Sequence, residues 1–264
     1  MRLENKVILI TGGYTGIGRA IARQCFAEGA RIVLNGLQEE LAQELLSEFP
    51  EGKATHLTID ITVPDAPEQL INKAISTFGK LDAVVNNAAI VAPSNIKTTT
   101  VSYLERMLAV NTVAPFAIIQ AALPHLTASH GNVVNIGSIN SWSGEHNLLA
   151  YSISKGALMT LSRNLGDSLF REYGVRVNQI NPGWILTENE FVNQRAQGKS
   201  EDWLEKLPAI FAPSKRLFKP EELAMAAIYL LSDESGPISG QVVEVEQFPV
   251  LGRNPPKPQQ RIIE

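Results

Sequence analysis

Cysteine is almost absent from this chain. Cys25 is the only one in 264 residues, which excludes an intrachain disulfide and any scaffold built on disulfides. It falls among Ile21, Ala22 and Phe26, where a small buried hydrophobe is expected. Histidine is scarce too. His56, His125, His130 and His146 are scattered without the spacing of a metal site, so no metal is expected. No basic run stands out and the formal net charge is −4, which argues against nucleic acid and anionic membrane as partners. No apolar run reads as long enough to span a bilayer. Glu4 and Lys6 interrupt any leader-like pattern at the start. A cytoplasmic protein with a small-molecule partner is the expectation. Apolar residues, by contrast, make up 44% of the chain, enough for the core of one large domain.

The order of elements follows from periodicity and turn signals. Val7–Ile10 is a continuous apolar run, as a strand covered on both faces requires. It enters Thr11-Gly12-Gly13-Tyr14-Thr15-Gly16-Ile17-Gly18, and a helical pattern follows. Strand, glycine turn and helix together present backbone N–H groups and a positive helix end to a phosphate. The same glycines also suit a plain tight turn that needs positive φ. A P-loop is a near miss, because Arg19 and Ala20 replace its Lys and Ser/Thr, so Mg²⁺-dependent triphosphate chemistry is excluded. Strands are then read at 31–35, 54–59, 81–85, 132–136, 175–180 and 241–245. Helices are read at 39–49, 64–78, 101–122, 151–173 and 220–231. Such alternation predicts a doubly wound α/β domain over 1–248, with a parallel sheet of about seven strands and helices on both faces. Residues 187–215 break the rhythm and read as a lid beyond a strand's carboxyl end. Residues 249–264 are rich in proline and read as an extended tail.

Within 101–122, Asn111 sits among Leu108, Val110, Val113 and Pro115. A buried amide needs partners, so an inward role is expected, with a kink just after Pro115. Ser138 closes a buried strand at the ligand edge. Tyr151 and Lys155 stand four apart on one helix face. A phenol with a pKa of about 10 is a poor acid–base catalyst at neutral pH, and an adjacent ammonium is expected to lower it. Any long helix can carry such a pair, so its meaning depends on its neighbours.

Taken together, T-G-G-Y-T-G-I-G (11–18), Asp60, N-N-A (86–88), Asn111, Ser138, Y-S-I-S-K (151–155) and N-P-G (181–183) resemble the short-chain dehydrogenase/reductase family from Lys6 to about residue 245. The resemblance implies a Rossmann-type fold and hydride transfer between a secondary alcohol or ketone and NAD(P). It implies Tyr151 as general acid–base and Lys155 as its pKa-lowering neighbour and ribose ligand. Ser138 becomes a donor to the substrate oxygen, and Asn111 a holder of a relay water. It lines the cofactor with Gly12, Thr15, Gly16, Ile17, Gly18, Asn35, Gly36, Asp60, Ile61, Asn87, Ala88, Tyr151, Lys155, Pro182, Gly183, Ile185 and Thr187. It further implies a homo-oligomer, dimer or tetramer. Two departures stand out: Ala89 where the family usually has glycine, and Glu244-Val245-Glu246-Gln247 where it usually has an Asp-Gly-Gly turn.

Chain position assigns the substrate to Ser138, Asn140, Trp142, His146, Tyr151 and Trp184. Hydrogen-bonding groups beside two indoles suit a sugar, polyol or sugar acid. Gly36 stands where NAD-using members commonly carry an acid, and Thr15 and Leu37 stand where NADP-using members add a base. With Asn35, Gln38 and Thr15 left as neutral donors, the reading leans to NADP(H) over NAD(H). Two rival readings are a sugar-nucleotide epimerase or dehydratase and a non-catalytic dinucleotide-binding regulator.

Overall fold

The computed structural model describes residues 1–251, so the expected tail at 249–264 lies almost wholly outside the described residues. Seven parallel strands form one sheet in the order β3-β2-β1-β4-β5-β6-β7. They are β1 (Val7–Ile10), β2 (Arg31–Gly36), β3 (Ala54–Thr58), β4 (Ala83–Asn86), β5 (Asn132–Ile136), β6 (Arg176–Pro182) and β7 (Val242–Val245). The order reverses between β1 and β4, and that reversal opens a crevice beyond the carboxyl ends of the strands.

Successive strand residues face opposite sides, and both sides are covered. Ile8, Ile10, Ile32 and Leu34 pack under α1 (Gly16–Ala27) and α9 (Pro220–Leu231), with Ile21, Cys25, Leu223 and Ile228. Val7, Leu9, Val33, Val133 and Val177 pack on the other side, under α3 (Ala66–Phe78), α5 (Ala114–Ser129) and α7 (Leu149–Tyr173). The remaining helices are α2 (Glu39–Leu46), α4 (Val101–Leu108), α6 (Asn140–Ser143) and α8 (Glu188–Ala196).

Three local features differ from the sequence expectation. The helix expected over 101–122 runs from Val101 to Ser129, with a π-turn at Ala109–Val113. Pro115 has no N–H, so the carbonyl of Asn111 loses its ordinary i+4 donor and the helix widens there, ahead of the proline. Pro124 does not end the helix, because Gln120, whose carbonyl it leaves without that donor, is exposed to water. By length and composition alone, Val101–Ser129 is apolar enough to cross a membrane. Here its Ile118, Ile119, Ala122 and Leu126 are buried against the sheet. Finally, α8 lies at the start of the 187–215 segment, where no helix was expected. Its start is the T-x-x-E pattern of Thr187 and Glu190, with the Thr187 hydroxyl accepting from the Glu190 N–H at 3.2 Å.

Candidate active site

The glycine turn closes the crevice from below. Gly12 has φ of 59°, a conformation that favours glycine. A Cβ on Gly18 would lie 2.2 Å from the Gly12 carbonyl oxygen, so only glycine lets α1 approach the turn. Asn87 ties the end of β4 to this turn, its amide donating to the carbonyls of Thr11 (3.0 Å) and Gly12 (2.9 Å). Thr11 Oγ1 accepts from the Asn87 and Ala88 N–H groups. No side chain of Thr15 caps α1, and its first turn holds no acid. The Gly16 N–H donates instead to the Glu188 carboxylate at 3.2 Å, and Arg19 pairs with the same carboxylate. A cavity of about 300 Å³ lies here, lined by Gly16, Arg19, Thr187, Glu188 and Phe191 among others. A helix N-terminus that already draws a carboxylate, beside a glycine turn, is a place that attracts an anion such as the diphosphate of a dinucleotide.

At the far end of the crevice the expectation needs correcting. Asn35 is buried, and its amide donates to the carbonyls of Leu57 (3.1 Å) and Ile59 (2.9 Å) on and beyond β3. It is committed to the sheet and has no donor left for a phosphate. Gly36, next in chain, faces Tyr14, whose hydroxyl bonds Thr58. Glu39 escaped the sequence reading. Its carboxylate accepts from Thr58 (2.6 Å), His56 (2.8 Å) and Gln43 (2.8 Å), which hold it down to a pKa of about 2. Asp60 accepts from the Thr62 N–H and hydroxyl and pairs with Arg106 of α4 at 2.9 Å. Ile61 beside it is buried.

Ser138, Tyr151, Lys155 and Asn111 converge at the carboxyl ends of β4 and β5, all buried. Burial pushes the Tyr151 phenol up to about 12, and hydrogen bonding by Ser138 pulls the other way. Burial alone pushes Lys155 down to about 7. Its Nζ donates to the Ile136 carbonyl at 2.7 Å and stands 5.8 Å from the centre of the Tyr151 ring. The sequence reading gave Lys155 the task of lowering the phenol. In this structure the group that lowers it is Ser138, and burial outweighs it. Asn111 is inward and fully partnered, as its apolar neighbours implied. Its oxygen accepts from the Ile90 N–H (2.8 Å), and its nitrogen donates to the Ile90 carbonyl (3.0 Å) and Ser154 Oγ (2.9 Å). It clamps the loop after β4 to α7 beside Lys155.

The residues assigned to substrate by chain position separate into two sets. The Asn140 N–H donates to Ser138 Oγ at 3.2 Å, which leaves the serine proton free for a third group. His146 is exposed on the loop before α7. Trp142 turns away: the guanidinium of Arg163 lies 4.5 Å from the centre of its ring, and residue 163 is about 18 Å of helix rise beyond Tyr151. Trp184 is folded into the 187–215 segment, stacked on Trp203 at 5.9 Å with its N–H donating to Glu190 at 2.7 Å. At the end of β6, the Pro182 carbonyl accepts from Ile139, the Gly183 N–H donates to Val245, and Ile185 bridges to Phe218.

A family model described as Enoyl-(Acyl carrier protein) reductase matches residues 12–247. An uncharacterized oxidoreductase of Thermotoga maritima is 34% identical over 249 residues, covering 93% of this chain and 98% of its own. Meso-2,3-butanediol dehydrogenase of Serratia marcescens is 29% identical over 262 residues, 97% of this chain and 99% of its own. L-fucose dehydrogenase of Mus musculus is 34% identical over 234 residues, 88% of this chain and 84% of its own. With the strand order, the glycine turn and the buried serine, tyrosine and lysine, these matches identify the chain as a member of the short-chain dehydrogenase/reductase family, an NAD(P)-dependent oxidoreductase that interconverts CH–OH and C=O.

Proposed function

We propose that this enzyme interconverts a secondary alcohol and a ketone on a small polyhydroxylated substrate, a sugar, polyol or sugar acid, with Tyr151 as the general acid–base. The observation that carries the reading is the buried contact of Ser138 with Tyr151: the Asn140 N–H occupies the serine oxygen, so the one serine proton is what Ser138 offers to Tyr151 or to a substrate oxygen placed between them. Two hydroxyls aimed at one oxygen stabilise the charge that grows there. Tyr151 gives or takes the proton at that oxygen, Ser138 orients it and lowers the phenol, and Lys155 on the next turn of α7 is assigned to the cofactor ribose. Asn111 holds the neighbouring turn against α7 beside Lys155. When bound, the nicotinamide dinucleotide supplies or accepts the hydride.

The glycine turn, Asp60, Ile61, Asn87, Ala88, Pro182, Gly183, Ile185 and Thr187 are the residues assigned to the dinucleotide. Lack of a carboxylate at Gly36 favours NADP(H) over NAD(H). Glu39 is the nearby anion that opposes a 2′-phosphate, so the discrimination is expected to be small. The segment at 187–215 acts as the substrate lid of a single domain spanning 1–248. Asn140 and the exposed His146 are the polar groups left to meet a polyol. L-fucose and butanediol, in the names of two relatives, are substrates of that polar class.

Assembly into a dimer or tetramer is part of the same reading. Val113, Phe116, Ile153, Phe170 and Tyr173 are more than a third exposed on and beside α5 and α7, an apolar face that a soluble oligomer covers. A cytoplasmic location rests on composition alone, and cell fractionation tests it. The substrate class is tested with a panel of sugars, polyols, sugar acids and sterols assayed with both dinucleotides. Turnover of a polyol or sugar supports it; activity on sterols with every polyol inert rejects it.

A further inference from the structure

Under α7 the sheet carries a row of buried amides. Asn86 Nδ2 donates to Asn135 Oδ1 at 2.9 Å, and Asn135 Nδ2 donates to Ser162 Oγ at 2.8 Å. The single Ser162 proton lies between the Leu158 carbonyl and Gln179 Oε1, both at 2.8 Å. Gln179 Nε2 donates to Asn181 Oδ1 at 2.7 Å, and the same oxygen accepts the Ser138 N–H at 3.0 Å. Asn86, Asn135, Ser162, Gln179 and Asn181 are all nearly or fully buried. The row therefore crosses β4, β5 and β6 and ends on the backbone of Ser138.

This ending is specific. On either side of Ser138, β5 is held to β6 by ordinary backbone bonds, Gly137 N–H to Ile180 at 2.7 Å and Ile139 N–H to Pro182 at 3.1 Å. Between them, the Ser138 N–H donates to the Asn181 side chain. Room for it exists because residue 137 is glycine: a Cβ there would lie 2.2 Å from both Asn181 Oδ1 and Gln179 Nε2. Two donors fix which end of the Asn181 amide is oxygen. Among the described residues its Nδ2 is buried without a partner, as is Oε1 of Glu244, its register neighbour on β7. A leucine here would leave the Ser138 N–H and Gln179 Nε2 without an acceptor, so the amide oxygen has a use that its nitrogen has not.

We propose that Gln179 and Asn181 are positioning residues that fix the Gly137–Ser138 backbone and thereby aim the Ser138 hydroxyl at Tyr151 and the substrate oxygen. The proposal rests on the reading of Ser138 given above, and its test separates the two. Asn181→Leu, Gln179→Met, Ser138→Ala and the double variant Asn181→Leu/Ser138→Ala are compared using the polyol or sugar that the wild type turns over fastest. The number of dinucleotide sites, read by fluorescence titration, reports the folded fraction, and the same titration gives the affinity.

Asn181→Leu is expected to lower kcat by about tenfold to a hundredfold per dinucleotide-binding site, the scale of a misaimed group, with dinucleotide affinity within about threefold. In alcohol oxidation the basic form of Tyr151 is required. Loss of the Ser138 contact should therefore move the rise of rate with pH to higher pH. Asn181→Asp, which keeps both acceptor positions, should restore the wild-type profile. In the Ser138→Ala background, Asn181→Leu should cost nothing further. Equal loss in both backgrounds, or an unmoved pH profile, overturns the positioning role while leaving Ser138 in place. A Ser138→Ala enzyme with wild-type kcat overturns the reading of Ser138 and the proposal with it. If Asn181→Leu does not fold, Gln179→Met carries the same comparisons with the same outcomes.

Discussion

The ring of Tyr14 stands where a side chain at position 36 would begin. A Cβ on Gly36 would lie 2.2 Å from Cδ2 of Tyr14 and 2.5 Å from Cε2. Tyr14 is itself buried and bonded to Thr58, so it cannot easily yield.

From the sequence alone, Gly36→Asp is a one-step route towards NAD. With Tyr14 in the way, that single variant is expected to lose stability and to weaken both dinucleotides. The double variant Tyr14→Ser/Gly36→Asp should shift preference towards NAD by about tenfold or more, since a carboxylate facing a 2′-phosphate costs at least about 1.4 kcal/mol. Fluorescence titration with NADH and NADPH reads the ratio. A single Gly36→Asp variant with wild-type melting behaviour contradicts the packing argument.

Lys155 makes stability depend on pH. Burial holds it down to about 7, against about 10.4 in an unfolded chain. Below the folded value it is protonated in both states, and its destabilising effect is complete. From about 7 to about 10 the unfolded chain binds the extra proton, so stability rises with pH. Tyr151, pushed up to about 12, acts the other way above about 10: the unfolded chain releases its proton first, and stability falls. Urea unfolding of dinucleotide-free protein should show the rise, and Lys155→Met should flatten it. An identical slope in the variant would show that the ammonium is not buried as described.

Asn111 joins Ile90 to Ser154. Asn111→Leu strands the N–H and carbonyl of Ile90 in a buried setting and should cost roughly 2–4 kcal/mol in urea unfolding, at about 1–3 kcal/mol per stranded group with partial relaxation. A cost below about 0.5 kcal/mol, the range of ordinary surface changes, would mean the clamp is not formed.

Most of the sheet was legible because strands covered on both faces must be apolar throughout, as Val7–Ile10 is. Asn111 was legible as inward because an amide among apolar neighbours needs partners. The proline at 115 announced a distortion, although the widened turn lies ahead of it rather than after it. Helix α8 was also legible, in its T-x-x-E start, and was passed over because the segment is polar. The misassignments share a cause. Asn35, Trp142 and Trp184 lie at the right points along the chain, but their directions are set by partners distant in sequence: the Ile59 carbonyl, Arg163 and Trp203. Sequence position fixes where a backbone atom goes, and the far partner decides where the side chain turns. Glu39 and the amide row behind Ser138 were missed for the same reason.

The central claim is that Tyr151 exchanges the proton with the substrate. The most direct test is kcat of Tyr151→Phe on the best substrate, measured beside its dinucleotide affinity. The account predicts a fall in kcat of a thousandfold or more, on the order of 4 kcal/mol, with dinucleotide affinity within severalfold of wild type. A variant that keeps more than about a tenth of the activity, a barrier change under about 1.4 kcal/mol, would contradict it.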